Sequence, residues 1–443
     1  MTVTATHDGP LTSASDEVRA FYERMPYPAP LGSLDEHREL YKDPDRRRVQ
    51  SHLLWPTEPP RDSVDILVAG CGTSQAARYA LREPGARIVA IDISETSLGH
   101  TRDLQFKYRL ENLELHHLPI ERVQELGRTF DHIVCTGVLH HLPDPDLGLH
   151  ALREVLRPEG AMQLMVYAAH GRAGIYMLQE YCRVLGIGPS DADLRALSAV
   201  LEALPEDHPA ARLLRQAKDF RHPEALADAL FHPIDRAYTV PELHAWLERC
   251  RMTFGRWTEQ APYLPQCGLM ARTPHAVRLA GLPESAQHTA VELFRGTMVR
   301  HSFVTYRDDR AAESQPITFV GDAWREYVPI RVPWSVCVRE RVPAGSVAVL
   351  INRAHPFTDL VLSLDDIDYR LFSAIDGRRT IGEILRRIGS DGRYSRRVPA
   401  FFERLWQYDQ IVIDASRAAR PALEATYPPP SNATYEPVRE SHR

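Results

Sequence analysis

Two glycines and a carboxylate are the first residues whose spacing could serve chemistry. Gly70 and Gly72 follow the apolar run 64–69, at the point where a buried strand would turn into a helix. Glycines at such a turn let a bound group approach the backbone, because no Cβ atom stands in the way. Asp92 ends the next apolar run, where a carboxylate can accept hydrogen bonds from ribose hydroxyls. This spacing predicts a site for a nucleoside-containing cofactor.

The glycine loop does not identify the cofactor by itself. A dinucleotide-binding loop would carry a third glycine three residues after Gly72, and Gln75 stands at that position. The choice of cofactor therefore depends on the elements around the loop.

Short apolar runs alternate with amphipathic stretches from residue 64 onward, which predicts strands alternating with helices. The predicted strands lie at 64–69, 87–91, 113–115, 131–135 and 161–167, with helices at 73–81, 94–108 and 146–156 between them. Ser94 stands where the second helix needs an N-cap, and the proline and glycine of 157–160 predict a turn. Parallel βαβ units in a doubly wound α/β sheet are the expected fold.

Residues 172–236 interrupt this alternation. They are mostly of helical pattern and too many for an ordinary connection, so they predict an inserted lid or structural padding. The α/β pattern then resumes with a capping box at Thr239 and Glu242, a strand at 254–259, a helix at 286–294 and a last strand at 301–306. We therefore expect a first domain over residues 16–308.

A second, smaller α+β domain is expected over residues 309–419. It carries strand patterns at 328–332, 347–351 and 411–413 and helix patterns at 364–375, 380–388 and 398–408. Three helices and a terminal strand predict a winged-helix-like module. The polar residues 1–15 and the proline-rich residues 420–443 are expected to be disordered tails.

Composition excludes several classes of function. The net charge of -6 argues against a broad nucleic-acid-binding surface. The sequence has neither an apolar run long enough to span a bilayer nor the pattern of a signal peptide, so we expect no membrane partner. The six cysteines form no Cys-x-x-Cys pair, which favours a reducing cytoplasm, and no cluster with metal-ligand spacing is present.

The stretch 130–142, which covers the fourth strand and the residues after it, supplies the missing context together with 156–160. Combined with the Gly70 loop and Asp92, this arrangement resembles class I S-adenosylmethionine-dependent methyltransferases, notably those of quinone and natural-product biosynthesis. The resemblance covers roughly residues 20–306 and implies a Rossmann-like sheet of seven strands with a reversed last strand. The sequence departs from the family pattern at Ala69, where an acidic residue is frequent, and at Ser74, where a glycine is usual.

The resemblance implies S-adenosylmethionine as the cofactor and a set of residues around it. Gly70 and Gly72 correspond to the glycines beneath its amino acid portion, Asp92 to the ribose ligand and Ile93 to a residue packing on the adenine. The family's acidic residue for the adenine amine is absent, and backbone groups of Leu118 or Ile120, or the Glu121 side chain, could replace it. The remaining candidates for cofactor contact are Cys71, Thr73, Gln75, Pro119, Thr136 and Gly137.

The stretch 21–28 resembles an element that precedes the sheet in some of these enzymes and folds over the cofactor. Tyr22 is a candidate cofactor contact and Tyr27 a candidate catalytic residue, because an aromatic ring against a sulfonium gains a cation–π contact. The alternative is that both tyrosines only cover the edge of the sheet.

His140 and His141 follow the fourth strand at the edge where ligands of such sheets bind. Either could serve as a general base, and His141 is the first choice; a cap or core role is the alternative. Such a base is needed only when the acceptor atom carries a proton of high pKa. The acceptor is expected to be a small molecule or a peptide, methylated on O, N or C.

Two other functions stay open at this point. The chain could bind the cofactor as a scaffold, or act as a peptide- or carrier-binding protein through its C-terminal domain. It could also be a nicotinamide oxidoreductase, against which Gln75 counts. The stretch 375–384 resembles part of the small peptide-binding winged-helix domains of the PqqD type, although dimerisation or packing would be alternative roles. The oligomeric state is left open, a homodimer included.

Overall fold

The computed structural model describes residues 11–61, 63–216, 220, 222–310, 317–389 and 397–419. The expected disordered segment 1–15 needs a correction, because helix α1 (Leu11–Arg24) already begins at Leu11. Val18 and Phe21, three residues apart on this helix, are both buried, so the helix has an apolar face to pack. Residues 1–10 and the expected tail 420–443 lie outside the described residues.

The main sheet has the predicted parallel core and the predicted reversed last strand. Its strands are β1 (Asp65–Ala69), β2 (Arg87–Asp92), β3 (Leu113–His117), β4 (Phe130–Thr136), β5 (Leu156–Ala168), β6 (Ala237–Tyr238), β7 (Met252–Trp257) and β8 (Arg300–Arg307). Their order is β3-β2-β1-β4-β5-β8-β7, and β6 pairs with the end of β5. β1 to β5 are parallel, whereas β8 runs antiparallel to both β5 and β7. The short β6 raises the expected seven strands to eight.

Helices cover both faces of this sheet, as a doubly wound fold requires. They include α4 (Gln75–Arg82) and α5 (Glu95–Tyr108) on one face and α6 (Pro145–Val155), α11 (Val240–Arg249) and α13 (Glu284–Arg295) on the other, while α2 (Asp35–Leu40), α3 (Pro44–Leu54) and α12 (Ala276–Ala280) lie at the periphery. Side chains of β1 alternate between two cores: Ile66 and Val68 belong to the α4 side, Leu67 and Ala69 to the α6 side. Both faces are thus closed, and the carboxyl edge of the strands stays available.

Local signals in the sequence were correct at two helix starts and wrong at one turn. Ser94 caps α5, and Thr239 forms the predicted capping box at the start of α11. Residues 157–160, predicted as a turn, lie instead inside β5. Phe130 pairs with Leu156 and His132 with Ala161, so residues 157–160 form an irregularity of β5 that has no partner on β4.

The insert between β5 and β6 is helical, as predicted. It consists of α7 (Ala173–Leu185), α8 (Asp191–Glu202), α9 (Ala211–Gln216) and α10 (Pro223–Phe231). These helices share a small apolar core of their own, and Phe21 of α1 packs against Leu194 and Leu226. The N-terminal helix and the insert therefore form one wall beside the carboxyl edge of the sheet.

The C-terminal region contains the predicted strands and helices and two further strands. Its elements are β9 (Val328–Arg331), β10 (Ser335–Val338), β11 (Ala348–Asn352), β12 (Val361–Leu364), α14 (Asp366–Ser373), α15 (Ile381–Arg387), α16 (Arg397–Gln407) and β13 (Ile411–Asp414). β10, β11 and β12 form an antiparallel sheet, and β13 pairs with β9. The four-residue β10 and β12 were not predicted. The likeness to PqqD-type domains is not confirmed and stays a prediction.

This region packs against the first domain through polar and apolar contacts. The Asp409 carboxylate accepts a hydrogen bond from the Ala261 backbone N–H at 2.9 Å and lies 3.3 Å from an Arg256 nitrogen. Val49 and Leu53 of α3 share an apolar cluster with β9 and β13. The expected domain limit at residue 308 stays a prediction, with residues 311–316 outside the described residues.

Candidate functional site

A cavity of about 510 Å³ lies at the carboxyl ends of β1, β2, β4 and β5. Its wall includes residues of the glycine loop, the N-terminal segment and the helical insert. Among the predicted site residues, it is lined by Tyr22, Tyr27, Gly70, Cys71, Gly72, Gln75, Asp92, Ile93, Leu118, Ile120, Thr136, Gly137 and His141. Topology explains the convergence, since parallel strands bring their carboxyl ends to one edge.

The backbone of the glycine loop has a conformation in which residues other than glycine would be strained. Gly70 has φ +68° and Gly72 has φ +54°, both in the left-handed region that favours glycine. A Cβ atom at Gly70 would lie 2.7 Å from Cγ1 of Val138, and one at Gly72 would lie 3.1 Å from the Tyr27 carbonyl oxygen. The loop is held against β2, because the backbone N–H groups of Gly70 and Cys71 donate to the Ile91 carbonyl at 2.9 and 3.1 Å.

Asp92 is buried at the end of β2 and lines the same cavity. One carboxylate oxygen accepts from the Gly72 backbone N–H at 2.8 Å, and the other accepts from the Ser94 backbone N–H at 2.9 Å. Burial raises the pKa of this carboxyl, while these backbone donors act in the opposite direction. Ser94 supplies the α5 cap through its own side chain. Asp92 is therefore not needed as the helix cap; it binds the glycine loop and lines the cavity.

The end of the cavity beyond Asp92 is apolar. Ile93, Leu118 and Ile120 line it, and the Leu118 backbone N–H donates to the Asp92 carbonyl at 3.0 Å. Pro119 and Glu121, which the sequence analysis also predicted at this end, are not among the lining residues. A flat aromatic base would fit between such aliphatic side chains.

The N-terminal segment closes over the loop. The Thr73 hydroxyl, which does not line the cavity, donates to the Pro28 carbonyl at 2.7 Å. The Glu23 carboxylate accepts from the backbone N–H groups of Glu95 and Thr96 at the start of α5, at 2.7 and 3.1 Å. Residues 22–28 therefore form a fixed roof, with Tyr22 and Tyr27 facing the cavity.

Asp228, on α10 of the insert, is a cavity residue that the sequence reasoning missed. Its two carboxylate oxygens accept from the hydroxyls of Tyr22 and Tyr167, each at 3.1 Å. Burial raises the pKa of Asp228, and burial beside this carboxylate raises the pKa of both tyrosines well above their usual value. The tyrosines are therefore held protonated and pointed at Asp228.

The two predicted histidines have different positions. His141 lines the cavity, and its Nδ1 lies 2.6 Å from the Ile234 carbonyl oxygen, which can only accept a hydrogen bond. Its Nε2 has no hydrogen-bond partner among the described residues, and burial lowers the pKa of His141 to about 4. His140 is buried behind the cavity, with its ring 4.0 Å from that of Tyr167. Of the two histidines, His141 is thus the one that lines the cavity, and its unpaired Nε2 is buried.

Two further predicted cofactor contacts, Gln75 after β1 and Thr136 at the end of β4, are hydrogen-bonded to each other. The Gln75 side-chain amide donates to the Thr136 hydroxyl at 2.7 Å. Gly137 has φ +79°, and its backbone N–H donates to the Met165 carbonyl at 3.0 Å. The glutamine that breaks the dinucleotide pattern therefore ties the glycine loop to the loop after β4.

No group of three or more His, Cys, Asp or Glu residues in the described part of the chain could hold a metal ion. None of the described helices combines the length and the apolar character needed to cross a membrane.

Comparison with known proteins identifies the fold around this cavity. Residues 67–162 match a family described as "Methyltransferase domain". An uncharacterized protein of Synechococcus sp. is 35% identical over 208 residues, which are 45% of this chain and 50% of that protein. A ubiquinone biosynthesis O-methyltransferase of Xylella fastidiosa is 27% identical over 281 residues, 60% of this chain and 99% of the enzyme.

A solved structure extends the likeness beyond the core. PKMT2 from Rickettsia typhi in complex with AdoHcy superposes with a TM-score of 0.59 at 15% identity, over 84% of this chain and 75% of that one. The chain spans about half the length or less of most of the curated relatives that it matches. Residues 67–162 therefore carry a methyltransferase domain, within a fold similar to that of PKMT2.

Proposed function

We propose that the chain is a methyltransferase that uses S-adenosylmethionine to methylate a small molecule or a peptide. One observation carries this proposal: a single cavity joins the loop of Gly70 and Gly72 and the Asp92 carboxylate to the buried polar cluster around Asp228. The first part has the features of a nucleoside and amino acid site, and the second has those of an acceptor site. The matched family supports the same activity.

The residues present fit the cofactor. Gly70 and Gly72 line the cavity without Cβ atoms, so a ligand can lie against their backbone. Asp92 is a buried carboxylate with one hydrogen bond to each oxygen in the structure, which leaves acceptor positions for ribose hydroxyls. Cavities of this size commonly hold cofactors and drug-sized ligands.

The chain's own contribution is alignment, water exclusion and control of a proton. When bound, the cofactor supplies a methyl group already activated by positive sulfur, so the protein mainly aligns the acceptor with it. The roof 22–28 and the insert shield the cavity from solvent. Burial keeps His141 neutral at neutral pH, and its unpartnered Nε2 can accept a proton from a hydroxyl or amine. Asp228 acts through Tyr22 and Tyr167 as a positioning residue.

Calorimetry with S-adenosylhomocysteine tests the cofactor assignment. We expect the full chain to bind it and not to bind NAD. The Asp92→Asn variant should bind it about 10- to 100-fold more weakly, because hydrogen bonds to a charged acceptor contribute roughly 1.5–3 kcal/mol each. Asp103→Asn, which changes an exposed carboxylate on α5, is the matched control. Binding of NAD alone, or of neither ligand, would reject the proposal.

Mass spectrometry of cell extracts incubated with isotopically labelled cofactor tests turnover. We expect a labelled product with the wild-type chain. The His141→Gln variant should form it at least tenfold more slowly, with unchanged affinity for S-adenosylhomocysteine, if the acceptor atom loses a proton during transfer. Equal rates for the two proteins would show that the transfer needs no base at this position.

A further inference from the structure

A second cavity adjoins the first and includes residues of the C-terminal region. Its volume is about 640 Å³, and it lies between the insert, the residues just before and within β8, and the loop after β11. Leu213, Val299 and Arg300 line both cavities. The two cavities are therefore neighbours that meet at these three residues.

The second cavity is lined by cationic side chains from three parts of the chain. Arg212 comes from α9 of the insert, Arg300 from the start of β8, and Arg353 from the loop after β11. Within the described residues, none of the three guanidinium groups has a hydrogen bond or ion pair. Glu259 is the carboxylate of this lining; burial raises its pKa, and the positive charge of Arg300 acts in the opposite direction.

Two other arginines near the cavities are paired with carboxylates, whereas Arg212, Arg300 and Arg353 are exposed and unpaired among the described residues. Arg172 lies 2.9 Å from an Asp235 oxygen, and Arg295 forms two contacts with Asp359 at 3.0 and 3.1 Å. An arginine fork without a carboxylate is suited to bind the planar or tetrahedral oxygens of an anion. The chain as a whole is acidic, so this local excess of positive charge is not a general property of its surface.

The loop that carries Arg353 is held in place by hydrogen bonds. The side chain of Asn352, which is buried, donates to the Asp409 carbonyl at 2.7 Å and accepts from the Ala354 backbone N–H at 2.7 Å. Arg353 lies between Asn352 and Ala354 in the sequence, and its backbone N–H donates to the Trp334 carbonyl at 3.1 Å. The loop after β11 therefore holds Arg353 at the cavity, without a side-chain partner among the described residues.

We propose that the acceptor carries an anionic group, a carboxylate or a phosphate, which Arg212, Arg300 and Arg353 bind in the second cavity while the atom to be methylated reaches the first. The C-terminal region is then part of the acceptor site, because it supplies Arg353. This inference rests on the proposed methyltransferase function for the role of the ligand, and on the geometry of the second cavity alone for the binding of an anion.

Anion binding is tested without turnover by thermal unfolding of the full chain. We expect inorganic phosphate or malonate, compared with sodium chloride at equal ionic strength, to raise Tm by about 1–2 °C at ten times its Kd. The Arg300→Gln/Arg353→Gln variant should lose this rise, and Arg278→Gln, an exposed arginine on α12, should keep it. The anion that gives the larger rise distinguishes a phosphate from a carboxylate group.

The role in catalysis is tested on the labelled product. Retention of that product on an anion-exchange resin at neutral pH is expected, and its loss after phosphatase treatment would identify a phosphate. The Arg300→Gln/Arg353→Gln variant should have a KM for the acceptor at least tenfold higher than the wild type, with an unchanged affinity for S-adenosylhomocysteine. No rise of Tm with either anion, an equal rise in the Arg300→Gln/Arg353→Gln variant, or an uncharged product would overturn the inference. Failure of S-adenosylhomocysteine to bind would instead reject the methyltransferase function.

Discussion

Replacing Gly70 by alanine should destabilise the protein through two separable causes. The first is conformational: a non-glycine residue at φ +68° costs about 1–2 kcal/mol. The second is steric, because the new Cβ would lie 2.7 Å from Cγ1 of Val138 and closer still to Cγ2. Overpacking of this kind costs about 1–3 kcal/mol. We therefore expect Gly70→Ala to lower the free energy of unfolding by roughly 2–5 kcal/mol.

Urea denaturation of the wild type and of four variants, Gly70→Ala, Gly99→Ala, Val138→Ala and the Gly70→Ala/Val138→Ala double variant, separates the two causes. Gly99→Ala is the matched control, because Gly99 lies inside α5 and a Cβ there meets nothing within 4 Å. It should be neutral or stabilising by about 0.5–1 kcal/mol. Combining Gly70→Ala with Val138→Ala should recover the steric part and leave the conformational part. A Gly70→Ala protein as stable as the Gly99→Ala protein would refute the reasoning, as would a double variant in which the two losses simply add.

Three further outcomes are expected. Burial lowers the pKa of His132 to about 3 from the usual 6.5, so its contribution to stability is present above pH 6.5 and lost as the pH falls. Urea denaturation at pH 7, 6 and 5 gives the free energy of unfolding as a function of pH. This free energy should fall with decreasing pH less steeply in His132→Gln than in the wild type, by about 1.4 kcal/mol per pH unit, and parallel slopes would contradict this. Asp235→Ala leaves the buried Arg172 without its carboxylate and should cost about 3–5 kcal/mol by the same assay; a loss below 1 kcal/mol would mean that the pair is solvated. Thr239→Ala removes the α11 capping box and should cost about 1 kcal/mol, whereas an unchanged midpoint would show that the cap is redundant.

The sequence was most informative where local chemistry alone decides the structure. Buried strands such as β1 and β2 are continuous apolar runs, and their carboxyl ends fix the positions of Gly70 and Asp92. The helix caps at Ser94 and Thr239 also follow from neighbouring residues only. These elements could be predicted because each signal lies within a few residues of the feature that it specifies.

The acceptor end of the cavity depends on contacts between distant segments, and that part could not be predicted. Asp228 has no local motif, and it acquires a role only because Tyr22 and Tyr167 reach it from two other elements. The arginines of the second cavity come from three separate parts of the chain in the same way. The turn expected at 157–160 falls within β5 instead, as four residues that have no partner on β4 between the pair Phe130–Leu156 and the pair His132–Ala161.

The pairing of β9 with β13 over α3 has a consequence for how the chain is made. Val49 and Leu53 are covered by strands near the other end of the described chain, and the Ala415 backbone N–H donates to the Pro56 carbonyl at 2.7 Å. At usual rates of translation, these apolar residues wait on the order of 20–70 s for their cover. A ribosome that stalls before β13 is complete would leave α3 exposed to chaperones and to other nascent chains. Yield in an expression host should therefore respond to translation speed and to chaperone supply.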